Sequence, residues 1–337
     1  MSYGLQTAGI QILAGIDVNA DCEKTYTSNI SGARFLRKDI TKLTCPELQK
    51  ELNLKSNDDS LIFAGCSPCQ YWSKIQTDKR KSQKSAFLLK AFQKFIAKFR
   101  PGFVLIENVP GLLTNKRESI LPDFLNFLKV RGYTFDDGVI NSNHYGVPQN
   151  RFRYVLVATR LASVIKLPKA SPNPSLTVRN YLGISNGFKK IRAGTQDTTP
   201  FHHTAASLSK KNLERITITK KDGGDRTSWK DDKNLLIPAY KGNENMFRDV
   251  YARMYWDRPA PTITTRFNSF SNGRFGHPEE NRAISLREGA TLQTFPKTYR
   301  FVASNKATIA RHIGNAVPPA LAESIGLQLL RTFDGQV

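Results

Sequence analysis

Four short apolar runs set the strongest limit on how this chain can fold. They are ILAGIDV (12–18), SLIFAGC (60–66), GFVLIENV (102–109) and RFRYVLVATR (151–160). Each is too short for a buried helix and rich enough in branched and aromatic residues to read as a strand. Between them lie stretches of a different period. ADCEKTYTSNI is helix-like, and AFLLKAFQKFIAKF (86–99) repeats apolar residues at helical spacing until Arg100-Pro101 stops it. ESILPDFLNFLKVRGY is helical in period, with Pro122 near its start. Strands alternating with helices predict an α/β fold built on a doubly wound, mostly parallel sheet. In such sheets the chemistry collects just beyond the carboxyl ends of the strands. Asp17, Asp39, Cys69 and Glu107 all fall at or just past such ends, so a shared cleft is expected.

From about residue 165 the texture changes. Pro, Gly, Ser, Asn and Lys dominate stretches such as KLPKASPNPSLTVRN and KKDGGDRTSW, and periodicity weakens. This predicts a second, loop-rich and basic domain over 165–303, after a first domain over 1–164. The tail from 304 to 337 returns to an amphipathic helix, with Pro318 and Pro319 at its start, and is expected to rejoin the first domain. No run approaches 18 apolar residues, and no basic segment followed by an apolar one opens the chain. Neither a membrane span nor a secretory signal is therefore expected, and the expected location is the cytoplasm. Among 337 residues, 50 are Lys or Arg and 28 are Asp or Glu, a net charge of +22. Such an excess suits a polyanionic partner, because counterion release favours binding. Charge alone leaves DNA, RNA and ribosomal surfaces open.

The four cysteines are Cys22, Cys45, Cys66 and Cys69. Without an export signal a disulfide framework is not expected. Cys66 and Cys69 form a single C-x-x-C, and a structural zinc site would need a second such pair or ligand-spaced histidines. His202 and His203 are adjacent instead. No metal is expected. Cys66 falls inside an apolar run and reads as a small buried hydrophobe.

Five segments resemble, in order, motifs of the cytosine-C5 methyltransferases, especially the bacterial DNA enzymes of restriction–modification type. They are SPCQ (67–70), ENV (107–109), QNRFR (149–153), RPAPTITT (258–265) and GNAVPP (314–319). The segment HPEENRAISLREGATLQTFP is also similar to the bacterial branch. The resemblance implies a class I S-adenosylmethionine-dependent methyltransferase-like catalytic domain and a target-recognition domain. It also implies methyl transfer to C5 of cytosine in a specific duplex DNA sequence, with the base flipped out. The residue chemistry agrees. Cytosine C5 is a poor nucleophile until a thiolate adds at C6, and cysteine both attacks well and leaves again. Cys69 is thus the expected nucleophile.

Negative charge built at N3 and O2 calls for a nearby acid. Glu107 closes FVLIE and is placed for that role, which the resemblance also implies and which an apolar surround would favour, with Asn108 holding the turn. Arg151 and Arg153 alternate on one strand and so should face the same way. By resemblance, Arg153 contacts O2 of the base and Arg151 supports the site. The basic loop QYWSKIQTDKRKSQKS (70–85) is similar to the family's closing loop. For the cofactor, S-adenosylmethionine, the resemblance implies Asp17 on the ribose, Val18 against the adenine and Asp39 with Ile40 at the adenine amino group. It adds Pro68 and Leu88 lining the pocket and Asn315 from the last motif. Residues 165–255 would carry sequence specificity.

One departure stands out. The family begins with a strand and a glycine-rich turn, whereas MSYGLQTAG matches the residues after it, with Gly4 alone similar to the turn. The resemblance then implies a start downstream of that strand or a separate N-terminal polypeptide that supplies it. A cognate restriction endonuclease and use at the nucleoid are further implications. Two other readings share the architecture: methylation of cytosine in RNA such as tRNA, and a DNA-binding remnant without catalysis.

Overall fold

The computed structural model describes residues 1–66, 80–114, 120–171, 176–240 and 246–335, with backbone alone at 80–87 and 114. Two compact units divide the chain. One comprises 1–141, 152–171 and 321–337; the other comprises 142–151 and 172–320. These limits differ from the expected ones at three places. The short segment 142–151 and the stretch 304–320 belong to the second unit, and 165–171 belong to the first.

The first unit is α/β. Its strands are β1 (Ala14–Asp17), β2 (Arg34–Arg37), β3 (Ile62–Gly65), β4 (Phe103–Asn108), β5 (Thr134–Asn141) and β6 (Phe152–Thr159). They form two sheets. β1 pairs with β2 in parallel, and the second sheet runs β3-β4-β6-β5. Among the described residues, β1 pairs only with β2 and β3 only with β4. The β3–β4 pair is parallel, but β6 runs antiparallel to both β4 and β5. The sheet is therefore mixed rather than mostly parallel. The reason lies in β5, whose sequence TFDDGVIN has no apolar pattern. It forms an edge hairpin with β6 through Ser142–Tyr145, and that hairpin reverses the strand direction.

Every residue of β4 is buried, as a strand covered on both faces must be. On one face, helix α4 (Arg80–Phe99) places Leu89, Phe92 and Ile96 against Val104 and Ile106 of β4, with Phe124 and Leu128 of helix α6 (Leu121–Val130) beside them. Residues 95 and 99 of α4 lie on the neighbouring stripe. Phe95 and Phe99 join Leu36, Leu48 and Leu61 in a second cluster, against which Ile16 of β1 and Phe63 of β3 also pack. One helix thus ties both sheets together through positions three and four apart. The tail helix α10 (Pro319–Phe333) returns to this unit. Phe333 lies 6.3 Å from the ring of Phe103, and Gly326 is closely approached by Leu5 and Ala8. Among the described residues no helix is long and apolar enough to cross a membrane.

The second unit has little regular structure. Helices α7 (Lys210–Ile218), α8 (Leu286–Leu292) and α9 (Lys306–Asn315) are joined by turns, single 3-10 turns and isolated bridges. Buried arginines substitute for sheet hydrogen bonds. Arg253 is fully buried and donates to the carbonyls of Thr219, His277, Glu280 and Ile216. Arg287 does the same for Phe201, Pro296, Pro200 and Tyr299. Burial pulls both guanidinium groups down to about 10, which leaves them charged at neutral pH. A loop-rich chain must satisfy its buried carbonyls somehow, and a five-donor fork does so economically.

Candidate active site

Strand direction decides which side chains meet at the end of β4. β3 runs parallel to β4 with Gly65 opposite Ile106, so Cys66 leaves β3 level with Glu107. β6 runs antiparallel, so its beginning rather than its end reaches the same place. Glu107 lies opposite Val155 and Asn108 opposite Tyr154, with Arg153 one residue earlier. The Nε of Arg153 stands 3.1 Å from Oε1 of Glu107, and both side chains are almost wholly buried. A second arginine nitrogen, Nη1, donates to the Phe152 carbonyl at 2.7 Å. Asn108 accepts the Val109 N–H on its own Oδ1 at 2.8 Å, which closes the turn into helix α5 (Gly111–Thr114).

Several sequence expectations change here. Glu107 is not in apolar surroundings, because a guanidinium occupies its flank. Arg151 and Arg153 do not share a set of partners. β6 begins at Phe152, and Arg151 precedes it in the second unit. There Arg151 is 1 % exposed and donates to the carbonyls of Ile263 at 3.1 Å, Gly314 at 3.1 Å and Ala316 at 2.9 Å. It thereby joins the QNRFR, TITT and GNAVPP segments inside one unit. Cys66 is exposed past the end of β3, not packed in it. The expected nucleophile Cys69, together with Pro68 and most of the basic loop 70–85, lies outside the described residues.

Around Arg151 the structure brings in two residues that the sequence reading did not single out as functional. Gln149 accepts the Ile263 N–H at 3.0 Å and donates to Gln293 at 2.8 Å, and Gln293 in turn donates to the Ile313 carbonyl at 2.7 Å. Both glutamines are fully buried. Gly314 permits this convergence, since an added Cβ would lie 2.3 Å from the Thr264 carbonyl oxygen. The sequence signal was the Gln of QNRFR, read only as part of a resemblance.

The expected cofactor residues sit at the ends of β1 and β2, adjacent parallel strands with Asp17 opposite Arg37. Asp17 is exposed, and its Oδ1 accepts the Asn19 N–H at 2.8 Å. Val18 beside it is 60 % exposed, an apolar surface next to a carboxylate. Asp39 accepts both the hydroxyl and the N–H of Thr41, at 2.7 and 2.9 Å. Those two bonds hold its carboxyl below the usual range. Ile40 is half-buried between the two core clusters. Leu88 is half-buried on α4, and Asn315 is an exposed residue that ends α9 in the second unit. Gly4 lies buried inside helix α1 (Ser2–Thr7), not in a turn.

Among the described residues one acidic cluster has metal-ligand composition. His277, Glu280 and Glu288 bring ligand atoms within 4.8 Å of one another. Arg282 already engages both carboxylates, at 2.6 and 2.8 Å on Glu288 and 3.0 Å on Glu280. That makes the cluster an internal ion network. Both adjacent histidines have partners: His203 bridges the Ser285 hydroxyl and the Lys189 carbonyl, and His202 meets the Phe301 carbonyl.

Comparison with known proteins adds the following. The profile described as C-5 cytosine-specific DNA methylase matches residues 1–331. The Type II methylase M.HgiDII of Herpetosiphon aurantiacus is 36 % identical over 341 residues, spanning 99 % of this chain and 93 % of that protein. The Type II methyltransferase M1.BsuMI of Bacillus subtilis (strain 168) is 33 % identical over 326 residues, 94 % of this chain and 73 % of that one. In fold, the chain is similar to a prophage-encoded protein of E. coli described as a DNA modification methyltransferase. That match has a TM-score of 0.74 at 21 % identity and covers 99 % of this chain and 96 % of the other. The S. pombe Dnmt2 methyltransferase follows with a TM-score of 0.62 at 17 % identity, covering 98 % and 94 %.

Proposed function

The chain belongs to the C-5 cytosine-specific DNA methylase family, and from that premise we propose that it transfers a methyl group from S-adenosylmethionine to C5 of cytosine in a specific duplex DNA sequence. The observation that carries this reading is the buried Glu107–Arg153 pair at the end of β4, level with the point where β3 hands the chain on toward Cys69. In this reading the Cys69 thiolate adds to C6 of a flipped-out cytosine, and the ring gains negative charge toward N3 and O2. Glu107 donates a proton at N3, and Arg153 bonds O2 while keeping the carboxyl in place. C5, now enamine-like, takes the methyl group. Loss of the C5 proton and expulsion of the sulfur then restore the aromatic ring. Arg151 and Asn108 act as supports, the first by tying three loops together and the second by closing the turn after Glu107.

The ends of β1 and β2 fit an adenosyl group. Asp17 offers an exposed carboxylate for ribose hydroxyls, Val18 an open apolar face, and Asp39 with Ile40 a polar and an apolar group side by side. By the family resemblance, Pro68, Leu88 and Asn315 are further residues we assign to cofactor binding. When bound, the cofactor supplies an electrophilic methyl. We assign residues 1–164 and 304–337 to cofactor binding and catalysis and 165–303 to target recognition. The cell's own DNA is the substrate, and a restriction endonuclease reading the same site is the implied counterpart.

Incubating the chain with radiolabelled S-adenosylmethionine and either duplex DNA or tRNA tests the reading. Label in DNA that disappears with Cys69→Ser supports it. Label confined to tRNA, or undiminished by that substitution, refutes it.

A further inference from the structure

In the second unit, residues 246–250 form a turn that is clamped on every side. The Met246 carbonyl accepts from Nη2 of Arg226. Arg248 binds Oδ2 of buried Asp225 through Nε at 2.9 Å and Nη2 at 2.7 Å. Asp249 accepts from Arg274 at 2.8 Å, and Arg274 is itself anchored on the Gly223 and Arg253 carbonyls. Val250 N–H closes the turn onto the Phe247 carbonyl at 3.0 Å.

At the crest of this clamped turn, sequence and conformation disagree with ordinary turn chemistry. Phe247 has φ of 53°, a left-handed conformation that suits Gly or Asn and is costly for a bulky residue. Phe247 is 65 % exposed and Met246 is 52 % exposed. Burial therefore does not offset the strain. The ring stands 6.4 Å from that of Tyr240, which is in turn covered by the Arg226 guanidinium at 4.5 Å. The result is a small apolar projection held on a rigid base of arginines.

Resting on the DNA reading above, we infer that Met246 and Phe247 form an apolar wedge that inserts between stacked base pairs of bound duplex DNA. Charge selects this partner. Arg248 beside the wedge is half exposed, Lys230 and Lys233 are exposed just after the turn that supplies Arg226, and the whole chain carries +22. A duplex offers phosphates for such cations and flat apolar faces within its stack. Phe and Met are among the side chains that pry base steps apart and kink the helix. A rigid mount is what such a function needs, because a flexible loop would yield before the stack did.

The test adds the full chain to closed circular plasmid with a topoisomerase acting throughout, so unwinding by bound protein is fixed as a linking-number change and no recognition sequence is needed. Wild-type protein should lower the linking number as it binds. Phe247→Ala should bind about ten-fold more weakly, as loss of one aromatic–base stack implies. It should also lose most of the linking-number change while keeping the same salt dependence, since phosphate contacts remain. Phe247→Trp should retain the effect. Phe247→Gly removes the left-handed strain, so it should melt no lower than wild type and still lose the unwinding. Unwinding and affinity unchanged in Phe247→Ala would overturn the wedge. So would loss, in that variant, of self-association or of anionic-vesicle binding in place of DNA unwinding. If wild type itself fails to retain plasmid, the DNA reading falls; binding without Phe247-dependent unwinding removes the wedge alone.

Discussion

Arg282→Met should unfold the second unit in a way that depends on pH. Arg282 is fully buried and forks onto Glu288 at 2.6 and 2.8 Å. Burial alone would push the Glu288 carboxyl up, but the charge and hydrogen bonds of Arg282 more than reverse this and hold it at about 2. Against its unfolded value of 4.5, that corresponds to roughly 3–4 kcal/mol. The sign follows from proton counts. Between pH 4.5 and 2 the unfolded chain binds the proton and the folded one does not, so this stability is present above 4.5 and lost as pH falls through that window. Without Arg282, the Ser285 N–H at 2.6 Å still donates to Glu288 and His277 stands 3.7 Å away. Burial then dominates and the carboxyl rises above 4.5.

The expected loss at pH 7 is about 3–5 kcal/mol, as for a buried ion left without its partner. For a unit of this size that corresponds to a fall of roughly 6–20 °C in melting temperature. Two of the three tryptophans, Trp229 and Trp256, lie in the second unit, so the intrinsic fluorescence of a Trp72→Phe background follows it. The difference from wild type should shrink as pH is lowered toward 4.5, because protonation relieves the stranded carboxylate. Arg282→Met with Glu288→Met should recover most of the loss. A single-variant loss below about 1 kcal/mol, or a loss that grows on acidification, contradicts the reasoning.

Further outcomes are expected. Burial holds His277 neutral, down at about 4, so the wild-type unit should lose stability as pH falls from 6.5 toward 4, where only the unfolded chain takes the proton; urea midpoints across that range measure it. Gly102→Ala places a Cβ 1.9 Å from the Asp59 carbonyl oxygen, and neither backbone can yield cheaply. A loss of about 2 kcal/mol or more, read as a lower urea midpoint at unchanged slope, should follow. Arg153→Ala should lower the rate of methyl transfer at least about 100-fold, with DNA affinity, measured separately by filter binding, changing far less. Asp17→Asn should weaken S-adenosylmethionine binding by about ten-fold in calorimetry while leaving the melting temperature unchanged, because the side chain is exposed.

The first unit was largely legible because its apolar runs are continuous where strands are buried on both faces. β4 is the clearest case: GFVLIENV reads as a strand and every residue of it is buried. β5 was not legible. As an edge strand half open to solvent it tolerates Asp136, Asp137 and Gly138, and its pairing comes from β6 rather than from its own pattern. The helix Cys45–Leu52 carries a readable signal, the capping box of Thr44 and Glu47. Arg151 shows a deeper limit. Two residues from Arg153, it belongs to a different unit because the strand begins between them, and no periodicity marks that point.

The second unit explains why loop-rich sequence is hard to read yet folds. Its order comes from Arg151, Arg253, Arg282 and Arg287, fully buried side chains whose partners are mostly carbonyls spread along the chain. A composition count reports these residues as surface charge, when part of the +22 excess is structural. The buried arginines are therefore unavailable to a polyanion, and the binding charge must come from exposed lysines and from half-exposed groups such as Arg248. A salt-slope measurement separates the two classes. Neutralising Lys230 or Lys233 should reduce the dependence of DNA affinity on salt by about one ion each if these lysines meet phosphates. Arg253→Met should lower the melting temperature and leave the slope of whatever remains folded unchanged.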